Sequence, residues 1–147
     1  MRALSRTLLI LAVVSIGLRA PLGAADSDFK IVINDANPTT SLDRALISKI
    51  FLKKSVRWEN KERITPIDQT DKTSVRESFS LAIHEKSVAA IKAYWQRMIF
   101  SGRDAPPAEE VSDAAVLKLV ASNPGAIGYV SKGTTLTDGV KELKITD

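Results

Sequence analysis

Asn123-Pro124-Gly125-Ala126-Ile127-Gly128-Tyr129-Val130 constrains this chain more than any other stretch, because a helix halted at Pro-Gly runs at once into a strand of small and apolar residues. Upstream, Ser112 is placed to cap a helix whose apolar residues Ala115, Val116, Leu119 and Val120 recur at helical spacing. Pro124 and Gly125 forbid its continuation, so the segment reads as a helix-to-strand switch.

The rest of the chain repeats that alternation. Lys30 to Asn34 has the β-branched density of a strand, ended by the Asn37-Pro38 step. A helix follows, capped by Ser41, with Leu42, Leu46, Ile47, Ile50 and Phe51 on one side. Arg63 to Ile67 reads as a second strand, which Pro66 confines to an edge or an irregular pairing. Ser74-Val75-Arg76-Glu77 has the spacing of a capping box ahead of Phe79, Ala82 and Ile83. Ser87 starts a longer helix carrying Val88, Ile91, Trp95, Met98 and Ile99, and Gly102 is placed to end it in a left-handed conformation. Residues 104–110 read as a loop, and Val140 to Ile145 as a last strand. The expected fold class is α/β, a single compact domain with a mostly parallel sheet flanked by helices.

The first 25 residues read as something other than fold. Arg2 and Arg6 precede an apolar run from Leu8 to Leu18, and Leu22-Gly23-Ala24-Ala25 offers small residues for cleavage before Asp26. That is a secretory signal peptide, leaving 26–147 as the domain. The run is about half the roughly 20 apolar residues a membrane span needs, so no stable membrane anchor is expected. The sequence has no cysteine, which excludes lipoprotein attachment and disulfides and leaves the fold to its core. Lys+Arg 21 against Asp+Glu 17 gives +4, but Arg2, Arg6 and Arg19 leave with the signal and no acid does, so the mature chain is about +1. Its basicity is therefore a targeting feature and gives no argument for nucleic acid. Lys53-Lys54 and the 61–63 cluster lack interleaved aromatics and read as solvated faces.

The switch at Asn123 to Val130, Ile50-Phe51-Leu52 before Trp58, and Trp95-Gln96-Arg97 before Phe100-Ser101-Gly102 together carry a resemblance. The chain resembles the phosphate-binding-protein family of periplasmic solute receptors, the substrate-binding components of phosphate ABC transporters. The likeness covers nearly everything after the first 25 or so residues. It implies a fold like one lobe of a type II periplasmic binding protein. It also implies a shortened form, since the earlier part of the family pattern, with its Gly-Ser-rich phosphate contacts, has no counterpart.

The residues themselves direct attention to Gln69 through Phe79, where a polar loop enters a helix whose exposed amides and dipole favour an oxyanion. In the family this position carries an Arg and, three residues on, Ser-Gly-Thr, all touching phosphate. Laid on this sequence, the Arg becomes Gln69, the Ser becomes Thr73, the Gly becomes Ser74 and the Thr becomes Val75. Only the Thr73 hydroxyl is a like-for-like replacement, and losing the arginine removes a bidentate charge-assisted contact. Lys72 or Arg76 could bring charge from another direction. The candidate ligand-binding set is Gln69, Thr73, Ser74 and Arg76. The competing reading is that Thr73 and Ser74 cap the helix, with Glu77 closing the box.

Other chemistry is thin. His84 is the sole histidine and lacks partners for a metal site. Asp68, Asp71, Glu109, Glu110 and Asp113 read as loop carboxylates, and no catalytic triad, nucleophile elbow or dinucleotide fingerprint is present. Trp58, Tyr94, Trp95 and Tyr129 read as core or rim. The expected function is an exported, periplasmic or secreted solute-binding-protein-like domain, not an enzyme and without a cofactor. It would take phosphate or a similar oxyanion for transport or sensing, with a transporter or sensor protein as partner. The alternative is a ligand-free periplasmic interaction domain that binds a partner protein.

Overall fold

The computed structural model describes residues 28–147. The signal-peptide expectation falls on 1–25 and lies outside the described residues. Six strands form one sheet: β1 (Phe29–Asn34), β2 (Ser41–Asp43), β3 (Thr65–Gln69), β4 (Ala108–Glu110), β5 (Ala126–Ser131) and β6 (Val140–Thr146), in the order β2-β6-β1-β5-β3-β4. Among the described residues β1 runs antiparallel to β5 and β6, while β2 with β6, β3 with β5 and β3 with β4 are parallel. Four α-helices flank the sheet: α1 (Arg44–Phe51), α2 (Ser74–Phe79), α3 (Val88–Phe100) and α4 (Asp113–Ser122), with a π-helical turn at Ser80–His84 continuing α2.

The alternation of side chains along β1 explains why both faces need cover. Phe29, Ile31 and Ile33 point to one face and Val32 to the other, and all four are buried. The first face packs on Ile47, Ile50 and Phe51 of α1, on Val75 and Phe79 of α2, and on Trp58 and Tyr129. The second meets Val116, Leu117 and Val120 of α4 together with Ile67, Val130 and Val140. No helix of the described residues is long and apolar enough to cross a membrane.

The helix-to-strand switch forms as its sequence predicts. Ser112 accepts from the Ala115 amide at 3.2 Å, and the chain leaves α4 at Asn123 for β5. A Cβ at Gly125 would lie 2.2 Å from the Arg63 carbonyl oxygen, and one at Gly128 would lie 2.6 Å from Val116 Cγ1, so two glycines let β5 approach the β3 entry and α4. The end of α4 is closed from a distance: Asn34 Nδ2 donates to the carbonyls of Val120 and Ala121 at 2.9 and 3.0 Å.

Several local expectations shift. Asp43 caps α1, accepting from Leu46 N at 2.7 Å, because Ser41 is drawn into β2 opposite Lys144. The second strand runs from Thr65 to Gln69 and lies inside the sheet rather than at its edge. Pro66 is tolerated because Thr65 N donates toward β5, so the amide missing from Pro66 falls on the other side, where β4 pairs only from Ile67 onward. The 104–110 loop contains β4. In α4 the inward residue is Leu117, with Leu119 37% exposed, since 116, 117 and 120 share a tighter arc.

The largest departure concerns α3. Gly102 ends it with φ +66°, and Ser87 caps it through Ala90 N, as expected. Of its apolar stripe, only Ile91 and Trp95 are buried. Ile99 is 55% and Phe100 91% exposed, and the helix meets the other elements chiefly at the π-helical turn, outside both core clusters.

Candidate functional site

The Gln69-to-Phe79 segment divides into an inner and an outer part. β3 carries Ile67, Asp68 and Gln69 into the interior, and the chain then turns at Thr70, whose amide donates to Glu110 O at 3.0 Å. Thr73 N and Thr73 Oγ1 both donate to Thr70 O, at 3.2 and 3.0 Å, and this fixes the turn. Thr73 occupies the N-cap position of α2 with extended backbone, yet its side chain makes no capping bond. The capping box does not form. With Thr73 as N-cap, the third helical position is Arg76, and Glu77 lies one residue beyond the place from which it could reach back.

Thr73 and Ser74 therefore line an open groove, together with Asp71, Lys72, Glu77 and Lys92. The uncapped first turn of α2 opens there. Its charges nearly cancel, since Asp71 pairs with Lys92, which holds its carboxyl below the usual range, with Lys72 adding to the effect.

Gln69 and Arg76 sit behind that groove, turned inward. Gln69, expected in a loop, ends β3 at 1% exposure. Its Nε2 donates to Tyr129 O and to Asp113 Oδ1, both at 2.9 Å, and its Oε1 has no hydrogen-bond partner among the described residues. Arg76 is 2% exposed and forms a buried ion pair with Asp68, with Tyr129 Oη 3.4 Å from Nη1. Burial opposes its charge, but Asp68 and the Tyr129 hydroxyl more than offset this and hold its pKa above the ordinary value. Sequence spacing brings the four candidates to one segment. The structure brings two to the surface and two to the interior.

The polar network around Arg76 is the feature that sequence reading misses. Tyr129 Oη donates to Asp68, its ring stacks on Phe79 at 3.8 Å and 5°, and burial, then Asp68, push its pKa up. Asp68 also accepts from Gln69 N at 2.8 Å. Asp113 accepts from Thr134 Oγ1 at 2.6 Å, Gln69 Nε2 and Ser131 N at 3.1 Å. Burial raises its pKa, but these hydrogen bonds outweigh that and leave it lowered. Two residues read as loop carboxylates are thus anchors, one inside β3 and one at the start of α4. The available signal was Asp68 between apolar Ile67 and the strand end, a polar position with no turn residue beside it.

His84 ends the π-helical turn, with Nδ1 2.8 Å from Ser48 Oγ and its ring edge-on to Phe79. Burial, only partly opposed by Asp68 and reinforced by Arg76, lowers its pKa to about 4. Among the described residues no group of three His, Asp or Glu side chains converges to hold a metal.

An α/β sheet of mixed strand direction with helices on both faces matches the fold of a lobe of periplasmic phosphate-binding proteins. Solved structures of that kind share it. An ABC-type phosphate transport receptor from Vibrio cholerae superimposes with a TM-score of 0.63 at 22% identity, over 82% of this chain and 47% of the receptor. A Clostridium perfringens protein, assigned to phosphate ABC transporters as a substrate-binding protein and solved with bound phosphate, gives 0.57 at 20% identity over 80% and 44%. PstS from Borrelia burgdorferi gives 0.57 at 12% over 82% and 47%. At these identities the likeness establishes the fold, and the chain spans a little under half the length of each. No family model and no curated protein matches the sequence.

Proposed function

We propose that this chain is an exported solute-binding domain that takes phosphate or a similar oxyanion at the Thr70-to-Ser74 turn, for transport or sensing, with a transporter or sensor protein as its partner. Its role is binding rather than catalysis. The observation that carries the reading is the start of α2: the Thr73 side chain makes no capping bond, and Thr73 and Ser74 line a groove where Lys72 is exposed. Helix amides without intrahelical acceptors are an anion site by construction. Ser74 supplies a hydroxyl to the ligand, and Thr73 supplies its own by turning it away from Thr70 O. Gln69 and Arg76 act from behind, Arg76 by tying the first turn of α2 to β3 through Asp68. Support for phosphate itself comes from the fold's likeness to phosphate receptors, and support for export from the Arg2-to-Ala25 pattern.

Thermal unfolding of residues 26–147 at fixed ionic strength, with phosphate or sulfate added, tests this. Stability should rise by about 2.7 kcal/mol at a hundredfold excess over the dissociation constant. Thr73→Ala should remove most of that response while lowering unliganded stability by no more than about 1 kcal/mol, the worth of its hydroxyl bond to Thr70. If millimolar phosphate and sulfate shift nothing, the oxyanion reading is lost and a partner-binding domain remains.

A further inference from the structure

The side of α3 nearest the end of α1 borders a second groove, separate from the Thr70-to-Ser74 turn. It lies between the end of α1 and α3, and its polar rim is Lys54, Lys86 and Arg97. Its apolar floor is Leu52, Ile91 and the ring of Tyr94. Among the described residues no carboxylate lines it. In a chain close to neutral once Arg2, Arg6 and Arg19 are set aside, three cations without an acid are a local excess. The side chains of Lys86 and Arg97 make no hydrogen bond or ion pair within the described residues. Lys54 Nζ lies 5.6 Å from the Tyr94 ring centroid, which aims its charge at the groove without neutralising it.

Helical spacing extends this face. Ala90, Tyr94 and Arg97 follow one another at four- and three-residue steps, with Ala93 four before Arg97, and Phe100, 91% exposed, continues the row three residues after Arg97. An aromatic side chain this exposed, beside unpaired cations and two alanines that let a neighbouring backbone approach, is an anchor without a partner among the described residues.

We propose that this face docks an acidic, apolar peptide segment of a partner protein. The segment lies along α3, with carboxylates over Lys54, Lys86 and Arg97 and an apolar residue against Tyr94 and Phe100. Charge complementarity selects the occupant. A second copy would bring the same cations against themselves, since α3 contains no acid. A flat bilayer would reach Phe100 but not the cations on both walls of a concave groove. From Lys86 to Arg97 the row spans about 16 Å, enough for three or four residues between successive carboxylate contacts.

Peptide display on the immobilised 26–147 protein, followed by titration of the enriched peptides in solution, tests the proposal. Enriched sequences should be rich in Asp and Glu with at least one large apolar residue. Their affinity should fall roughly tenfold or more in Lys86→Glu and in Arg97→Glu, and should fall with added salt. Phe100→Ser should weaken binding without changing its salt dependence. Lys118→Glu, on the exposed side of α4, should leave it unchanged. Because these side chains are exposed, unchanged circular dichroism confirms that each variant is folded. Enrichment of neutral or basic peptides, or acidic peptides that bind Arg97→Glu as well as the parent, overturns the proposal. So does binding to phosphatidylglycerol vesicles that competes with and exceeds peptide binding. Phosphate stabilisation should be the same in Arg97→Glu as in the parent, so loss of that response would indict the Thr70-to-Ser74 turn and not this face.

Discussion

At the scale of single residues the interior carries two electrostatic commitments. The Asp68 and Arg76 pair is almost fully buried, so its attraction must be weighed against the desolvation of both ions. Arg76→Met should cost roughly 3 to 5 kcal/mol by stranding Asp68, and adding Asp68→Asn should recover much of that loss. Chemical denaturation of the single and double variants decides it, and additive losses would contradict a coupled pair. His84 makes the second commitment. Its folded pKa of about 4 lies below the ordinary 6.5, so between those values the unfolded chain binds the proton more tightly. Stability should therefore fall as pH drops from 6.5 toward 4, by roughly 3 kcal/mol in all from this group. Denaturation midpoints across that range should show a shallower fall in His84→Asn. Equal slopes in both proteins would place the acid sensitivity elsewhere.

At the scale of elements, β5 and α3 are opposite cases. β5 is gripped on both faces, and Gly128 leaves no room for a methyl group because Val116 Cγ1 would stand 2.6 Å from it. Gly128→Ala should destabilise by roughly 1 to 3 kcal/mol through overpacking, and Gly128→Ala with Val116→Ala should regain part of it. α3 is held on one narrow stripe. Trp95→Ala should cost about 3 kcal/mol, since the ring is 5% exposed but lies outside both core clusters. Phe100→Ser should change stability by no more than about 0.5 kcal/mol. Hydrogen exchange gives an independent reading: amides of α3 should exchange before those of α4 and β5.

At the scale of the whole molecule, the sheet has an apolar layer on each face and short strands, β2 and β4, at both edges. Three-residue edges offer little ladder for unwanted pairing. Such a domain can fold without disulfides, which suits a chain with no cysteine. Export is checked at this scale too. Intact mass of protein recovered from the cell envelope should begin at Ala25 or Asp26, and a full-length mass would contradict cleavage.

Which elements exist was largely legible, because period and punctuation are local properties. Ser112 to Ser131 could be read as helix, stop and strand from the residues alone, and Ser87 and Gly102 marked both ends of α3. Which residue performs a cap was legible only where no strand competed: Ser112 kept its role, whereas pairing with β6 moved the cap of α1 from Ser41 to Asp43. The candidate site was half legible. Thr73 and Ser74 reach the groove where a loop meets a helix, but the same spacing could not show that Gln69 and Arg76 turn inward. That depends on Asp68 and Tyr129, which lie 61 positions apart in sequence and meet only because β3 pairs with β5. Sequence alone determined the longer elements, their order and the absence of covalent braces, while the short edge strands β2 and β4 escaped it. The tertiary structure decided which charges are consumed in the core and which are left outside, because burial and pairing belong to residues brought together across the sheet.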